Sequence, residues 1–178
     1  IVAMATHGQT GLRHLIMGSV AEHVLRELSI PVLMIRPTDS TEDRALTRPA
    51  GRRLTALVPL DGSPLAEQAL GCATELALRN GARLVLAAVE STAGDVGLAE
   101  VGLVPYWVLA DHEAAIVRLN DYLKRTAARL ADMGLDVETR LAEGSPAEEI
   151  LRISTAEQAD LIVMTTRGRS GVERLLMG

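Results

Sequence analysis

The same segment occurs twice in this chain, once at each end. Residues 1–18 reappear as residues 161–178, and both copies keep two glycines ten residues apart. In each copy four apolar residues lead directly into the glycine-spaced loop. A buried strand that ends in such a loop is typical of a turn able to hold a phosphate group. A repeat of this length predicts that the chain contains the tail of one domain and most of the next.

The composition favours an α/β protein and argues against several partners. Apolar residues make up 48% of the 178 residues, but there is no Phe, so Val, Ile, Leu, Ala and Met must build the core, as in parallel strands covered by helices. A net charge of −5 argues against non-specific nucleic-acid binding. Cys72 is the single cysteine, which excludes a disulfide framework. No apolar run is long enough to span a membrane, so we expect a cytoplasmic protein without a membrane partner.

The order of elements predicts a doubly wound sheet. Residues 38–53 carry charges of both signs and no periodicity, which is typical of a linker. From residue 54 onward, apolar runs alternate with amphipathic segments in the order β-α-β-α-β-α-β. The strands are predicted at residues 55–60, 83–89, 136–141 and 160–164, and the helices at 64–80, 111–133 and 146–158. This alternation indicates a mostly parallel sheet with right-handed crossovers and helices on both faces, as in Rossmann-like folds.

Three loops are expected to meet at one edge of this sheet. The segments that begin at Asp61, Glu90 and Thr165 each follow the carboxyl end of a predicted strand, and ligands of doubly wound sheets bind beyond these ends. The stretch from Glu90 to Leu109 is rich in glycine and is predicted to be a surface loop. Its Tyr106 and Trp107 fit either a lid over a ligand or an interface patch.

Two spaced motifs resemble the universal stress protein superfamily, whose nucleotide-binding members carry G-x2-G-x9-G-[ST]. The first copy reads Ala5-x2-Gly8-x9-Gly18-Ser19, and the second reads Thr165-x2-Gly168-x9-Gly178. The first strand end, Pro59-Leu60-Asp61-Gly62-Ser63, also fits the family. Ala5 and Thr165 stand where the family motif has its first glycine, which puts close approach of the backbone to a phosphate in doubt.

The resemblance implies a fold and a domain division. The expected fold is a five-stranded sheet like that of the adenine nucleotide alpha hydrolases. Residues 1–37 would be the closing part of a first domain, and residues 54–178 would be a second domain without its last helix and strand. The chain would thus be a fragment of a tandem-domain member.

The resemblance also implies an adenine nucleotide site, with ATP as the ligand and Mg²⁺ as an optional companion. Asp61 would bind the adenine or ribose end, Val89 would offer its backbone to the base, and the glycines would hold the phosphates. The nucleotide-binding residues are predicted to be Pro59, Asp61, Val89, Met164, Thr165, Gly168 and Gly178, with Gly8, Gly18 and Ser19 in the first copy.

Three functions remain open at this point. The favoured one is a regulatory module that acts through conformation or dimerisation, because no general base, metal cluster or activated nucleophile is evident; slow ATP hydrolysis would be compatible with it. The alternative is a structural or dimerisation domain without ligand, which Ala5 and Thr165 favour. An enzyme that uses the same crevice is the third. A homodimer or a pairing of tandem domains through the last strand, residues 31–35, is expected.

Overall fold

The structure is a computed structural model that describes residues 1–5, 23–25, 27–28, 30–35, 51–91 and 106–165. The described residues divide into two units, one up to Arg52 and the other from Arg53 onward.

The first unit contains a pair of parallel strands. β1 (Val2–Ala5) lies beside β2 (Val32–Ile35), with Val2 opposite Val32. The amide of Val2 donates to the carbonyl of Pro31 at 3.1 Å, which extends the ladder by one bond. Residues 23–25 and 27 are helical. Both strands were predicted from their apolar runs.

The second unit is built from alternating strands and helices. Its elements are β3 (Thr55–Pro59), α1 (Pro64–Asn80), β4 (Arg83–Glu90), α2 (Tyr106–Ala131), β5 (Val137–Glu143), α3 (Pro146–Ala156) and β6 (Leu161–Ile162). The strands form one parallel sheet in the order β5-β4-β3-β6. The predicted α/β class is therefore confirmed. The described residues of this unit supply four of the five predicted strands.

Helices cover both faces of the sheet, as predicted. Alternate residues of each strand point to opposite faces, so Ala56 and Val58 pack with the buried residues of α1 and α2, whereas Leu57 packs with Ile153 of α3. After β3 the chain adds β4 and β5 on one side, then returns to place β6 on the other side of β3. The strand order therefore switches between β3 and β6, which is where doubly wound sheets bind ligands.

The ends of α1 follow the sequence signals closely. The Ser63 hydroxyl accepts a hydrogen bond from the amide of Ala66 at 3.1 Å, and Pro64 occupies the first turn. Gly81 ends the helix with φ of 62°, in the left-handed region that glycine adopts without strain.

Several boundaries differ from the prediction by one or two residues, and the start of α2 differs by more. α2 begins at Tyr106 rather than near residue 111, so Tyr106 and Trp107 belong to a helix and not to a loop. Two adjacent aromatic residues do not show the apolar spacing of a helix, but a proline immediately before them in the sequence, Pro105, is typical of a helix start. β6 is shorter than residues 160–164, although the amides of Asp160 and Val163 still donate to the carbonyls of Thr55 and Leu57 at 2.9 and 2.8 Å.

A closed ring of four charges lies at the amino-terminal edge of the sheet. Arg83 of β4 and Arg140 of β5 each contact the carboxylates of both Glu138 of β5 and Glu157, which follows α3. The four contacts are Arg83–Glu138 at 2.8 Å, Arg83–Glu157 at 2.9 Å, Arg140–Glu138 at 2.6 Å and Arg140–Glu157 at 2.6 Å. The ring therefore joins two strands and a helix at the edge opposite the carboxyl ends of the strands.

We expect the ring to make the fold sensitive to acid. Hydrogen bonds from Arg140 and Arg83 lower the pKa of Glu138 below its ordinary value of 4.5. A carboxylate with a lowered pKa stabilises the fold above its unfolded-state pKa, and this stabilisation is lost as the pH falls through the folded-state value. Glu138→Gln should flatten the decline of the urea midpoint below about pH 4.5. If the urea midpoint of Glu138→Gln falls with pH as that of the wild type does, the contacts of Glu138 do not contribute to stability.

Candidate functional site

Asp61 lies in the turn that connects β3 to α1. The amide of Leu60 donates to the carbonyl of Ala87 at 2.7 Å, so the chain leaves the sheet only at Asp61. One carboxylate oxygen of Asp61 then accepts a hydrogen bond from the amide of Ser63 at 2.9 Å. Gly62 between them has a backbone φ of 78°, which residues that carry a side chain rarely adopt. The turn thus orients the Asp61 carboxylate at the carboxyl end of β3.

The ends of β4 and β6 lie on either side of this turn. Pro59, the last residue of β3, is opposite Ala87 of β4, so Val89 and Glu90 extend past the end of β3. On the other side β6 is in register with Ala56 and Leu57, and Met164 and Thr165 follow it toward the same edge. Five of the predicted site residues, Pro59, Asp61, Val89, Met164 and Thr165, therefore lie at one edge of the sheet.

A cleft of about 390 Å³ opens between this edge and α2. Its lining combines carboxylates from two strand ends with one side of the helix: Asp61, Gly62, Glu90, Ala115, Arg118, Leu119 and Tyr122. A volume in this range is at the small end of sites for small molecules, which span roughly 300–1,000 Å³. The cleft lies on the α2 side of Asp61, whereas Thr165 lies on its β6 side.

Tyr122, one of the residues that line the cleft, has a buried hydroxyl. Its oxygen is inaccessible to solvent, and no described residue forms a hydrogen bond of good geometry with it. Burial, followed by the charge of the nearby Glu67 carboxylate, raises the pKa of Tyr122 to about 12. The hydroxyl therefore stays protonated at neutral pH and keeps its ability to donate.

His112 lies between two carboxylates at the ends of neighbouring strands. Its Nε2 is 3.0 Å from a carboxylate oxygen of Glu143, which ends β5. Its Nδ1 is 3.9 Å from a carboxylate oxygen of Glu90, which ends β4. The two carboxylates meet opposite nitrogens of one ring, so they do not converge on a common point.

The remaining predicted residues, Gly8, Gly18, Ser19, Gly168 and Gly178, lie outside the described residues. Sequence reasoning in turn overlooked the side chains of Glu90, Arg118 and Tyr122. Ala115, Arg118 and Tyr122 follow one another at intervals of three and four residues, so they share one helix face. That spacing was the available signal for a wall of the site.

The part of the chain that the structure describes contains neither a metal centre nor a membrane-spanning helix. There, no group of three or more His, Cys, Asp or Glu side chains is arranged to hold a metal ion. None of the helices described there is both long and apolar enough to cross a lipid bilayer.

Comparison with known proteins gives a consistent family. The profile of the universal stress protein family matches residues 1–36 and 53–178. A universal stress protein of Thermus aquaticus is 37% identical over 125 residues, which cover 70% of this chain and 85% of the relative. One from Mycolicibacterium smegmatis is 29% identical over all 178 residues, which span 55% of the relative's length.

A solved structure agrees with these sequence matches. It is a universal stress protein family member from Burkholderia pseudomallei, 34% identical, with a TM-score of 0.54. The similarity covers 72% of this chain and 91% of that chain.

Proposed function

The chain belongs to the universal stress protein family, and we propose that it is a regulatory module that binds an adenine nucleotide, with ATP as the ligand. The module would act through its conformation or association state and not through turnover. The observation that carries the proposal is the convergence of three strand ends around the Asp61 carboxylate at the point where the strand order switches.

The chemistry of the edge suits a nucleoside. A carboxylate accepts hydrogen bonds from ribose hydroxyls or from an amino group of the base. In this proposal the main chain of Val89, which extends past the end of β3, offers a donor and an acceptor to the base. In this proposal the phosphates extend toward the glycine-spaced segment from Gly168 to Gly178. An accompanying Mg²⁺ would be bound by phosphate oxygens and water, the ligands that this ion prefers.

Titration calorimetry with ATP and Mg²⁺ tests the proposal. We expect Asp61→Asn to weaken ATP binding about 10- to 100-fold, because a hydrogen bond to a charged acceptor contributes about 1.5–3 kcal/mol. Asparagine retains the oxygen that accepts from the Ser63 amide, so the turn should persist.

Asp160→Asn is the matched control. The Asp160 carboxylate also accepts a hydrogen bond from a backbone amide, that of Thr55 at 2.9 Å, but it lies at the amino end of β3. Its substitution should leave ATP binding unchanged. If the wild type binds no ATP, or if both variants bind it as the wild type does, the nucleotide site is not at Asp61.

Pairing through the last strand is the second candidate function. Leu33 and Ile35 of β2 leave 38% of their surface exposed, on the same face of the strand pair. An apolar face of this kind favours association with a second copy or with a neighbouring domain. Light scattering should then report a particle larger than one chain, and Leu33→Glu should reduce it to a monomer; a wild-type monomer at high concentration would contradict the pairing.

A further inference from the structure

We propose that the cleft beside α2 holds the base of the nucleotide and that the Glu90 side chain selects a 6-amino purine over a 6-oxo purine. The inference rests on the proposed function and adds a specificity residue to it. Its starting point is a carboxylate that the described structure leaves without a hydrogen bond.

The main chain of Glu90 is held in the sheet, but its side-chain carboxylate has no hydrogen bond from a described residue. The carbonyl of Glu90 accepts a hydrogen bond from the amide of Gly144 at 3.0 Å, and β4 pairs with β5 from Leu84 to Glu90. The side chain is only 25% exposed and faces the cleft, while its contact with the ring of His112 is 3.9 Å long. No described residue donates a hydrogen bond to this carboxylate at ordinary distance. A partly buried acceptor of this kind needs an external donor.

His112 does not fill this need. The Nε2 of its ring is 3.0 Å from Glu143, and this contact keeps the ring at the ends of β4 and β5. The Nδ1 atom is too far from Glu90 for a hydrogen bond. The donor that completes the Glu90 carboxylate therefore comes from water or from a ligand in the cleft.

The rest of the cleft indicates what kind of molecule carries that donor. Leu119 and Ala115 give one wall an apolar surface suited to a flat ring. The carboxylates of Asp61 and Glu90 present only acceptors. A heterocycle that carries an exocyclic amine matches these groups.

Adenine and hypoxanthine differ at position 6 and at the neighbouring N1. Adenine has a 6-amino donor beside an N1 acceptor, whereas hypoxanthine has a 6-oxo acceptor beside an N1–H donor, so a carboxylate that faces position 6 meets a donor only in adenine. A mismatch that leaves a buried polar group unpaired costs about 1–3 kcal/mol, so we expect ATP to bind about 10- to 100-fold more tightly than inosine triphosphate.

The experiment compares ATP with inosine triphosphate, each titrated into the wild-type chain, Glu90→Gln and Glu143→Gln. The glutamine amide at position 90 can donate to the 6-oxo group, so the preference for ATP should fall about tenfold or more, with inosine triphosphate bound more tightly than before. Glu143→Gln is the matched control, because Glu143 also contacts His112 but does not line the cleft. It should leave the preference unchanged.

Each other result has a distinct meaning. Binding of both nucleotides with a preference that Glu90→Gln does not alter overturns this inference and leaves the nucleotide site standing. An equal change in Glu90→Gln and Glu143→Gln assigns the effect to His112 and also overturns it. If neither nucleotide binds to the wild type, the proposed function fails, and the selection of the base fails with it.

Discussion

Replacing Leu123 with alanine should lower the free energy of unfolding of the second unit by about 3 to 5 kcal/mol. Leu123 of α2 is 0% exposed and belongs to the cluster in which α1 and α2 cover β3 and β4. Removing its terminal carbons leaves a cavity between a helix and the sheet, and neither partner can move in without breaking other contacts. Urea unfolding followed by circular dichroism would measure the change.

Leu78→Ala provides the control for this substitution. Leu78 is also helical, in α1, but 59% of its surface is exposed. Alanine replaces leucine in a helix in both variants, so a difference between them reports burial and not helix propensity. We expect Leu78→Ala to change the free energy of unfolding by less than about 0.5 kcal/mol. Similar losses in the two variants would contradict the position of Leu123 in the core.

Much of the second unit could be predicted because local signals and packing agree there. β4 was predicted at residues 83–89 and extends from Arg83 to Glu90, since a continuous apolar run is typical of a strand buried on both faces. The start of α1 followed from Ser63 and Pro64, whose hydrogen bond and fixed φ act within one turn. The parallel sheet with helices on both faces followed from the order of these elements.

The repeat shows which features depend on neighbours instead. The segment at residues 1–5 and its copy at 161–165 both form strands, so the strand itself is a local property. Its length is not: β1 has four residues beside β2, whereas β6 has two beside β3. Periodicity cannot report how far a partner strand extends, and the predicted end of β6 was therefore too late.

The candidate site also contains residues that the sequence predicts and residues that depend on packing. Asp61 and Val89 could be predicted because they lie at strand ends and match a family pattern. Glu90, Arg118 and Tyr122 could not, because their common position depends on how α2 lies across the ends of β3 and β4. That packing is set by contacts between residues far apart in the chain, and no spacing in the sequence encodes it directly.

Substituting Glu157 with glutamine should lower the free energy of unfolding by about 1–3 kcal/mol. The side chain of Glu157 is 13% exposed, and its two oxygens contact Arg83 and Arg140 separately. Glutamine has one acceptor oxygen, so it cannot satisfy both guanidinium groups, and its amide would direct a donor at one of them. Two positive charges would then share the single carboxylate of Glu138. The urea midpoint should fall accordingly.

Glu75→Gln separates this effect from the loss of any surface ion pair. Glu75 lies on α1, four residues before its partner Arg79, and the side chains of Glu75 and Arg79 are 63% and 75% exposed. Exposed pairs of this kind contribute little, so the control should leave the urea midpoint unchanged. If Glu157→Gln also leaves the urea midpoint unchanged, water replaces the lost contacts. A loss confined to Glu157→Gln would instead show that the ring ties the end of α3 to β4 and β5. The amino-terminal edge would then serve stability, while the side chains at the opposite edge are left to bind a ligand.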